Sequence, residues 1–488
     1  MKKHTITASV LFLGLLFLSW PGYLQSGDNA LSIATADALV NDGSFLINDF
    51  SQEKPENQSN AENRKKSCSR FGIGLPFLYV PIIYLEKFIS LFINKDIARN
   101  ILFSSVSPVF GILNFYIIVY CLRRLGLNTQ KAYLIALLSS VFTLNFRYSV
   151  HDHSEIIQST ILLASVAFHL SDRKHKNLYI SILLSYGVMI KTYNIAIYFI
   201  FFICIAPNLI KTRRFLKETA YAFFPILFTI SIILILNYVR YGSPFETGYG
   251  KEALSFSFEN FGKTFIPLII SFEMGFLTFN PLLIVAFIGV AAGIRNGNRI
   301  AQISTLVTLF LFSLSAFHSF SKGGWALGPR YIVPSISLLA LGFAFLDFSK
   351  RAVRYTTALL LIPAVVLSVI FVLEKTQEYD VVRYELDQLG IQAPSQIIGL
   401  VTLLKLKSTG YDRYYPASAF SDSRSEKMLD LRTFDSFQGV NTWYNHFSSK
   451  FGHPITIPLL AIHIFLFFAT TAYVINLLLF HFKELEER

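Results

Sequence analysis

The chain has 488 residues, of which 53% are apolar and only 15% are charged, against ~25% charged in an ordinary soluble domain. Forty-eight Phe and 24 Tyr, with a mean hydropathy of +0.49, exclude a disordered chain and argue against a soluble globular enzyme: lipid covers much of the surface. The net charge of +12 comes from bases in short loops between apolar runs, with no basic stretch interleaved by aromatics, so it reads as membrane topology rather than as a nucleic-acid face.

A helix needs ~20 apolar residues to cross the hydrocarbon core. Residues 7–24, behind Lys2 and Lys3, read as an uncleaved first span. Further spans are expected at 101–122, 131–148, 154–171, 177–190, 192–210, 218–240, 276–294, 299–319, 329–349, 352–374 and 456–480, twelve in all. With this count nineteen Lys and Arg fall in the inside loops and tail and seven in the short outside loops, which puts both termini in the cytoplasm. The apolar run 71–93 is left out of the count. It contains Pro76, Pro81, Glu86 and Lys87, and it reads as helices lying on the outer membrane surface.

The fold class expected is therefore an all-α polytopic membrane protein of about twelve transmembrane helices. Residues 1–374 form the transmembrane module, with 25–100 as a first outer loop carrying juxtamembrane helices. Residues 375–455 form an outer soluble loop or small cap domain, and 456–488 the last transmembrane helix and a cytoplasmic tail. No internal repeat is visible, which weakens a transporter built on inverted repeats. Cys68, Cys121 and Cys204 have neither metal-site spacing nor the number for a disulfide framework.

Ionisable groups at a membrane edge are costly and usually functional, and four clusters fall on the expected outer side. Asp28, in Gly27-Asp28-Asn29 directly after the first span, is placed to act as a general base or is simply solvated at a helix end. His151-Asp152-His153-Ser154-Glu155 packs two imidazoles and two carboxylates into one tight turn. It can ligate a divalent metal through His151, Asp152 and His153 or hold a substrate. Alternatively, Asp152 or Ser154 caps the following helix and Glu155 favours its dipole. The third cluster runs from Arg240 to Gly250 and includes Tyr249, with Glu273 further on near the next apolar run; its aromatics also suit an interfacial belt. The fourth is Lys322-Gly323-Gly324-Trp325-Ala326-Leu327-Gly328-Pro329-Arg330-Tyr331. Its glycines let backbone approach a ligand, and Arg330 at a helix start can grip a phosphate.

At these residues the chain resembles the GT-C superfamily of bacterial membrane glycosyltransferases, the protein mannosyltransferase-like and aminoarabinose-transferase-like enzymes that use a polyprenyl-phosphate sugar. The resemblance rests on an ordered set within the first 350 residues or so. The set begins with a first helix ending in Gly27-Asp28, then Ala38-Leu39-Val40 with Gly43, then Gly72-Ile73-Gly74-Leu75-Pro76 with Tyr79 and Pro81. It continues with Tyr241-Gly242-Ser243-Pro244 and Thr247-Gly248-Tyr249, and ends with Gly323-Gly324-Trp325 and Gly328-Pro329-Arg330-Tyr331. The resemblance implies that Asp28 is the catalytic acid of the first outer loop, that Asp152 or Glu155 stands for a second acidic position, and that Arg330 binds the lipid phosphate. Asn29 stands where relatives often have another acid, and His151-Asp152-His153 does not align, so a divalent metal stays an open alternative and no cofactor is certain.

The expected activity is inverting transfer of a hexosyl or pentosyl group from a polyprenyl-phosphate donor to a hydroxyl of a lipid, glycan or protein, on the periplasmic face of the bacterial inner membrane. Asp28, Asp152 and Glu155 are the catalytic candidates; Arg330, Lys191, Lys322, Tyr249, Trp325, His153 and Glu273 are the substrate-binding candidates. The expected partners are the lipid-linked donor, the acceptor and membrane lipids. A lipid-linked glycan ligase or polymerase, or a polytopic lipid or glycan transporter, is the alternative.

Overall fold

The computed structural model describes residues 2–24, 26–48, 66–210, 215–249, 255–319, 321, 323, 326–373, 382–383, 386, 395–408, 414–416, 428–430 and 456–481. Helix α1 (Lys2–Ser19) ends earlier than the expected span. The cause is local: Pro21 disfavours helical backbone at Trp20, whose indole instead donates to the Ser104 carbonyl at 3.2 Å. The chain then re-enters helix as α2 (Gly27–Asp42). Gly27-Asp28 thus opens a second helix rather than closing the first, a correction to the sequence reading.

Among the described residues, the stretch after α2 holds a ribbon, in which Leu46–Asn48 pairs antiparallel with Lys66–Cys68, then α3 (Gly74–Ile89) and α4 (Lys95–Ser104). Glu86 of α3, 2% exposed, is held by Arg99 of α4 at 3.2 Å, and Arg99 also binds Asp37 of α2. One guanidinium thereby fastens three helices. The inner face of α3 buries Leu75, Tyr79 and Ile83, while Tyr84, Leu85 and Phe88 stay open.

Then come α5 (Val106–Arg124), α6 (Thr129–Val141), α7 (Leu144–Val150), α8 (Ser154–Leu170), α9 (Lys176–Ile190), α10 (Asn194–Ile210) and α11 (Phe215–Tyr241). They are followed by α12 (Phe258–Ile270), α13 (Phe276–Phe279), α14 (Leu283–Arg295) and α15 (Arg299–Phe317). Asn94, Asn128 and Asn298 cap α4, α6 and α15 by accepting first-turn amides, as short polar residues at helix starts do. The 3-10 turns Arg330–Ser335 and Leu341–Phe345 flank α16 (Ile336–Ala340). Beyond lie α17 (Arg351–Leu373), α18 (Gln396–Ser408), a ribbon of Tyr414–Pro416 with Met428–Asp430, and α19 (Thr456–Asn476). Of the expected outer region 375–455, only α18, this ribbon and a few single residues are described.

This is an all-α membrane protein. Each of the twelve expected spans falls on a helix or a series of short helices, and among the described residues five helical stretches, α4–α5 counted as one, are long and apolar enough to cross a membrane, six if the α6–α7 pair is one span. Two expected spans are interrupted. The 131–148 stretch bends by 72° between α6 and α7, and 276–294 breaks at Asn280-Pro281-Leu282. The second break serves the first: the Asn280 side-chain oxygen accepts the Leu144 N–H at 2.7 Å. Non-helical backbone at such depth requires partners of this kind. The 329–349 stretch is likewise no continuous α-helix, since Pro334 removes a donor within its first turn.

This segment meets α14 backbone to backbone. A Cβ at Gly289 would collide with the Gly342 carbonyl oxygen, and one at Gly342 with the Ala286 carbonyl oxygen, so only glycine permits the contact. Gly289→Val is expected to lower stability by about 1–3 kcal/mol or more through overpacking, measured as a lower thermal unfolding midpoint in detergent, whereas Gly262→Ala, whose Cβ meets nothing within 4 Å, changes it little.

Candidate active site

The stretches assigned to the outer edge meet in space around one side chain. Arg330 is buried, with 7% exposure. Its Nη2 lies 2.8 Å from Asp28 Oδ2 and its Nε donates to Glu155 Oε1 at 2.7 Å. Glu155 is fully buried, whereas Asp28 keeps 32% of its side chain open. The cluster therefore has one inner acid and one accessible acid on the same guanidinium.

Local structure sets each position. Asp28 occupies the first turn of α2, where the helix dipole favours a carboxylate. Burial works against its ionisation, but Arg330 and then Lys191 outweigh it and hold the carboxyl below the ordinary range. Glu155 sits in the first turn of α8, again at the favourable end of a dipole. Arg330 follows a loop with left-handed glycines at 323 (φ +92°) and 328 (φ +63°). A Cβ at Gly323 would lie 2.7 Å from Arg330 Cβ, so the loop folds directly over the arginine stem.

Lys191 follows α9 at the break before α10. Burial and the neighbouring Arg330 lower its pKa, while Glu155 and Asp28 support its charged form. Its ammonium has no hydrogen-bond or ion-pair partner among the described residues. Tyr249 is within electrostatic reach of Asp28; burial first, then that carboxylate, push its hydroxyl up to about 12. Arg70 stacks over the Tyr249 ring, 5.6 Å from its centroid. Beside them a groove opens between the end of α9 and α11, lined by Arg70, Ile73, Met189, Ile233, Arg240 and Tyr249.

The remaining candidates have other neighbours. Both carboxylate oxygens of Asp152 accept the Ser26 N–H, at 3.2 and 3.0 Å, and its carbonyl accepts from the Asn29 side chain. It therefore anchors the start of α2 across the chain, rather than capping α8; the cap residue there is His153, without a side-chain bond. His153 turns toward Tyr148, with ring centroids 5.3 Å apart. Burial and Arg330 push its pKa down to about 4. The Glu273 carboxylate is taken by Arg383 at 2.6 Å and the Gln396 N–H at 2.7 Å, so it braces the chain beyond α17. Lys322 and Trp325 lie outside the described residues.

The same geometry bears on a metal. Among the described residues no three His, Cys, Asp or Glu groups come together as ligands. His151, Asp152 and His153 are consecutive, and their side chains diverge: Asp152 faces the α2 start and His153 faces Tyr148. They do not fit a shared ion.

Sequence reasoning missed Tyr148 and Gln396, which bind the backbone of the loop before Arg330. No local pattern marks either one, because their partners are main-chain atoms far along the chain.

No protein-family model matches the sequence, and no curated protein matches it. Among solved structures the chain is similar to ArnT from Cupriavidus metallidurans. Against the crystal structure bound to undecaprenyl phosphate the TM-score is 0.52 at 12% identity, covering 97% of this chain and 77% of that one. Against the apo crystal structure it is 0.51 at 13% identity, covering 98% and 76%. The chain shares the fold of ArnT. Within that fold the Arg330 cluster lies where the start of α2 meets the start of α8 and the loop after α15.

Two outcomes are expected. Arg330→Gln leaves Glu155 buried without its cation and costs on the order of 3–5 kcal/mol; adding Glu155→Gln recovers most of this in thermal unfolding. The folded protein holds His153 neutral to about 4, whereas an unfolded chain protonates it near 6.5. Between those values the unfolded state binds more protons, so stability falls as pH drops through this window. His153→Gln reduces that slope in unfolding midpoints measured across pH.

Proposed function

We propose that the chain is an inverting glycosyltransferase that moves a sugar, hexosyl or pentosyl, from a polyprenyl-phosphate donor to a hydroxyl acceptor. The reading assigns the site to the non-cytoplasmic face of a bacterial inner membrane, with both termini cytoplasmic and twelve spans. One observation carries it: an accessible carboxylate, Asp28, lies 2.8 Å from a buried guanidinium, Arg330, beside a second cation, Lys191. A base and an anion-binding pair are what transfer with an anionic leaving group needs. The GT-C fold and the undecaprenyl phosphate bound by ArnT support the same donor class. Seven Lys and Arg in the short outside loops against nineteen inside support the outer face.

The acceptor oxygen attacks the anomeric carbon as the bond from that carbon to the phosphate oxygen breaks. Polyprenyl phosphate leaves with the electron pair, the acceptor proton passes to Asp28, and one in-line displacement inverts the configuration. Arg330 and Lys191 stabilise the phosphate charge. A paired Asp28 is a weak base because Arg330 favours its ionised form. A donor phosphate competes for the same guanidinium, loosens the pair and strengthens the base once the donor is in place. The groove along α9 and α11, lined by Arg70 and Arg240 together with Ile233 and Met189, suits a charged headgroup followed by an isoprenoid. The open apolar side of α3, with Tyr84, Leu85 and Phe88, suits a helix resting on the outer leaflet.

Purified protein in nanodiscs, given a polyprenyl-phosphate sugar and candidate acceptors, is expected to release polyprenyl phosphate. Asp28→Asn lowers that release about 10²–10⁴-fold at unchanged expression. Lys191→Met weakens polyprenyl phosphate binding about tenfold, the loss of one charge-assisted contact. Normal turnover by Asp28→Asn would overturn the catalytic assignment.

A further inference from the structure

The loop that carries Arg330 is held by the start of α18, beyond α17 in the chain. Gln396 opens α18 and is fully buried. Its Nε2 donates to the Ala326 carbonyl at 3.1 Å and its Oε1 accepts the Gly328 N–H at 3.0 Å. A primary amide used this way copies a strand: one donor and one acceptor meet two backbone groups, and neither buried group is left unmet. The residue between them is pinned from the opposite side, where the Tyr148 hydroxyl donates to the Leu327 carbonyl at 2.9 Å. Two residues on, the Arg330 N–H donates to the Gly328 carbonyl at 3.0 Å.

Gln396 is itself fixed. Its N–H donates to Glu273 Oε2 at 2.7 Å, and Arg383 donates to the other oxygen of that carboxylate at 2.6 Å. The next N–H, of Ile397, donates to the Phe272 carbonyl at 3.3 Å. The turn at 271–275 and the start of α18 therefore act as one support under the Arg330 loop. Gly328 has no room to adjust: φ is +63°, and an added Cβ would meet Leu144 and Phe279 side chains at 3.0 Å. Among the described residues, Tyr148 within the helical core and Gln396 from the chain beyond α17 both hold the loop backbone.

We propose that Gln396 is a positioning residue for Arg330, so that the chain following α17 sets where the guanidinium stands. The proposal rests on the reading of Arg330 as the phosphate-binding group, but its structural half can be tested without any substrate. Hydrogen exchange followed by mass spectrometry on the full-length protein in nanodiscs reads the amides of residues 326–330. Gln396→Ala is expected to lower protection there about tenfold while α8 and α14 keep theirs. Unchanged protection in that peptide overturns the proposal.

The functional half uses a second variant. Gln396→Glu keeps an acceptor for the Gly328 N–H but sets a carboxylate against the Ala326 carbonyl. Only its protonated form can donate as the amide does. Undecaprenyl phosphate binding, measured from about pH 8 to about pH 5.5, is expected to be about tenfold weaker than wild type at the upper end and to recover as the carboxyl takes up its proton. Gln396→Ala stays weak throughout. A fold-holding role alone would lower unfolding midpoints without this pH-dependent recovery. Binding equal to wild type across the range overturns the proposal. If wild-type protein does not bind undecaprenyl phosphate while Gln396→Ala still deprotects the loop, the donor assignment fails and the positioning of Arg330 stands. If Gln396→Ala does not fold, exchange and binding of Gln396→Glu decide the matter.

Discussion

A buried guanidinium shared by two carboxylates organises one end of the helical bundle. Arg330 joins the start of α2, the start of α8 and the loop after α15, three pieces of chain with no sequence proximity. A lone buried charge would be untenable, and a buried pair is worth little unless its geometry is good. Here both acids lie at helix N-termini, where the dipoles favour their ionised forms. The arginine holds the inner acid by Nε and reaches the accessible one by Nη2. In the proposed transfer the accessible acid is the group with freedom to react, and the inner acid keeps the arginine in place when the pair with Asp28 loosens.

Broken helices make this arrangement possible. A continuous helix through 131–148 would carry Arg147, Tyr148 and the 151–155 turn along a straight axis; the 72° bend instead carries Tyr148 against the Arg330 loop. The early stop of α1 at Pro21 allows α2 to begin at Gly27, so that Asp28 meets a positive helix end. Each break leaves main-chain groups that need partners, and the Asn280 contact to Leu144 shows how one break satisfies another.

The sequence was informative where the physics is local or cumulative. Apolar run length located the helices, and the density of polar groups singled out Asp28, Glu155 and Arg330. It was less informative where a residue's partner is a distant main-chain atom. Asp152 looked like a helix cap or a metal ligand because those are the uses of an acid in a tight turn, yet its oxygens serve Ser26. Glu273 looked like a cavity residue because it stands beside an apolar run, but its charge answers Arg383. Gln396 carried no signal, since a single amide in an ordinary polar stretch has no pattern to detect.

Three side chains that depend on one another cannot drift one at a time. Losing either acid leaves Arg330 with a single counter-charge, and losing the arginine leaves Glu155 in an apolar wall. Among distant relatives that share as little identity with this chain as the two solved structures do, positions 28, 155 and 330 should therefore be inherited or replaced as a set. Any lineage that has exchanged one of them will carry a compensating change at another.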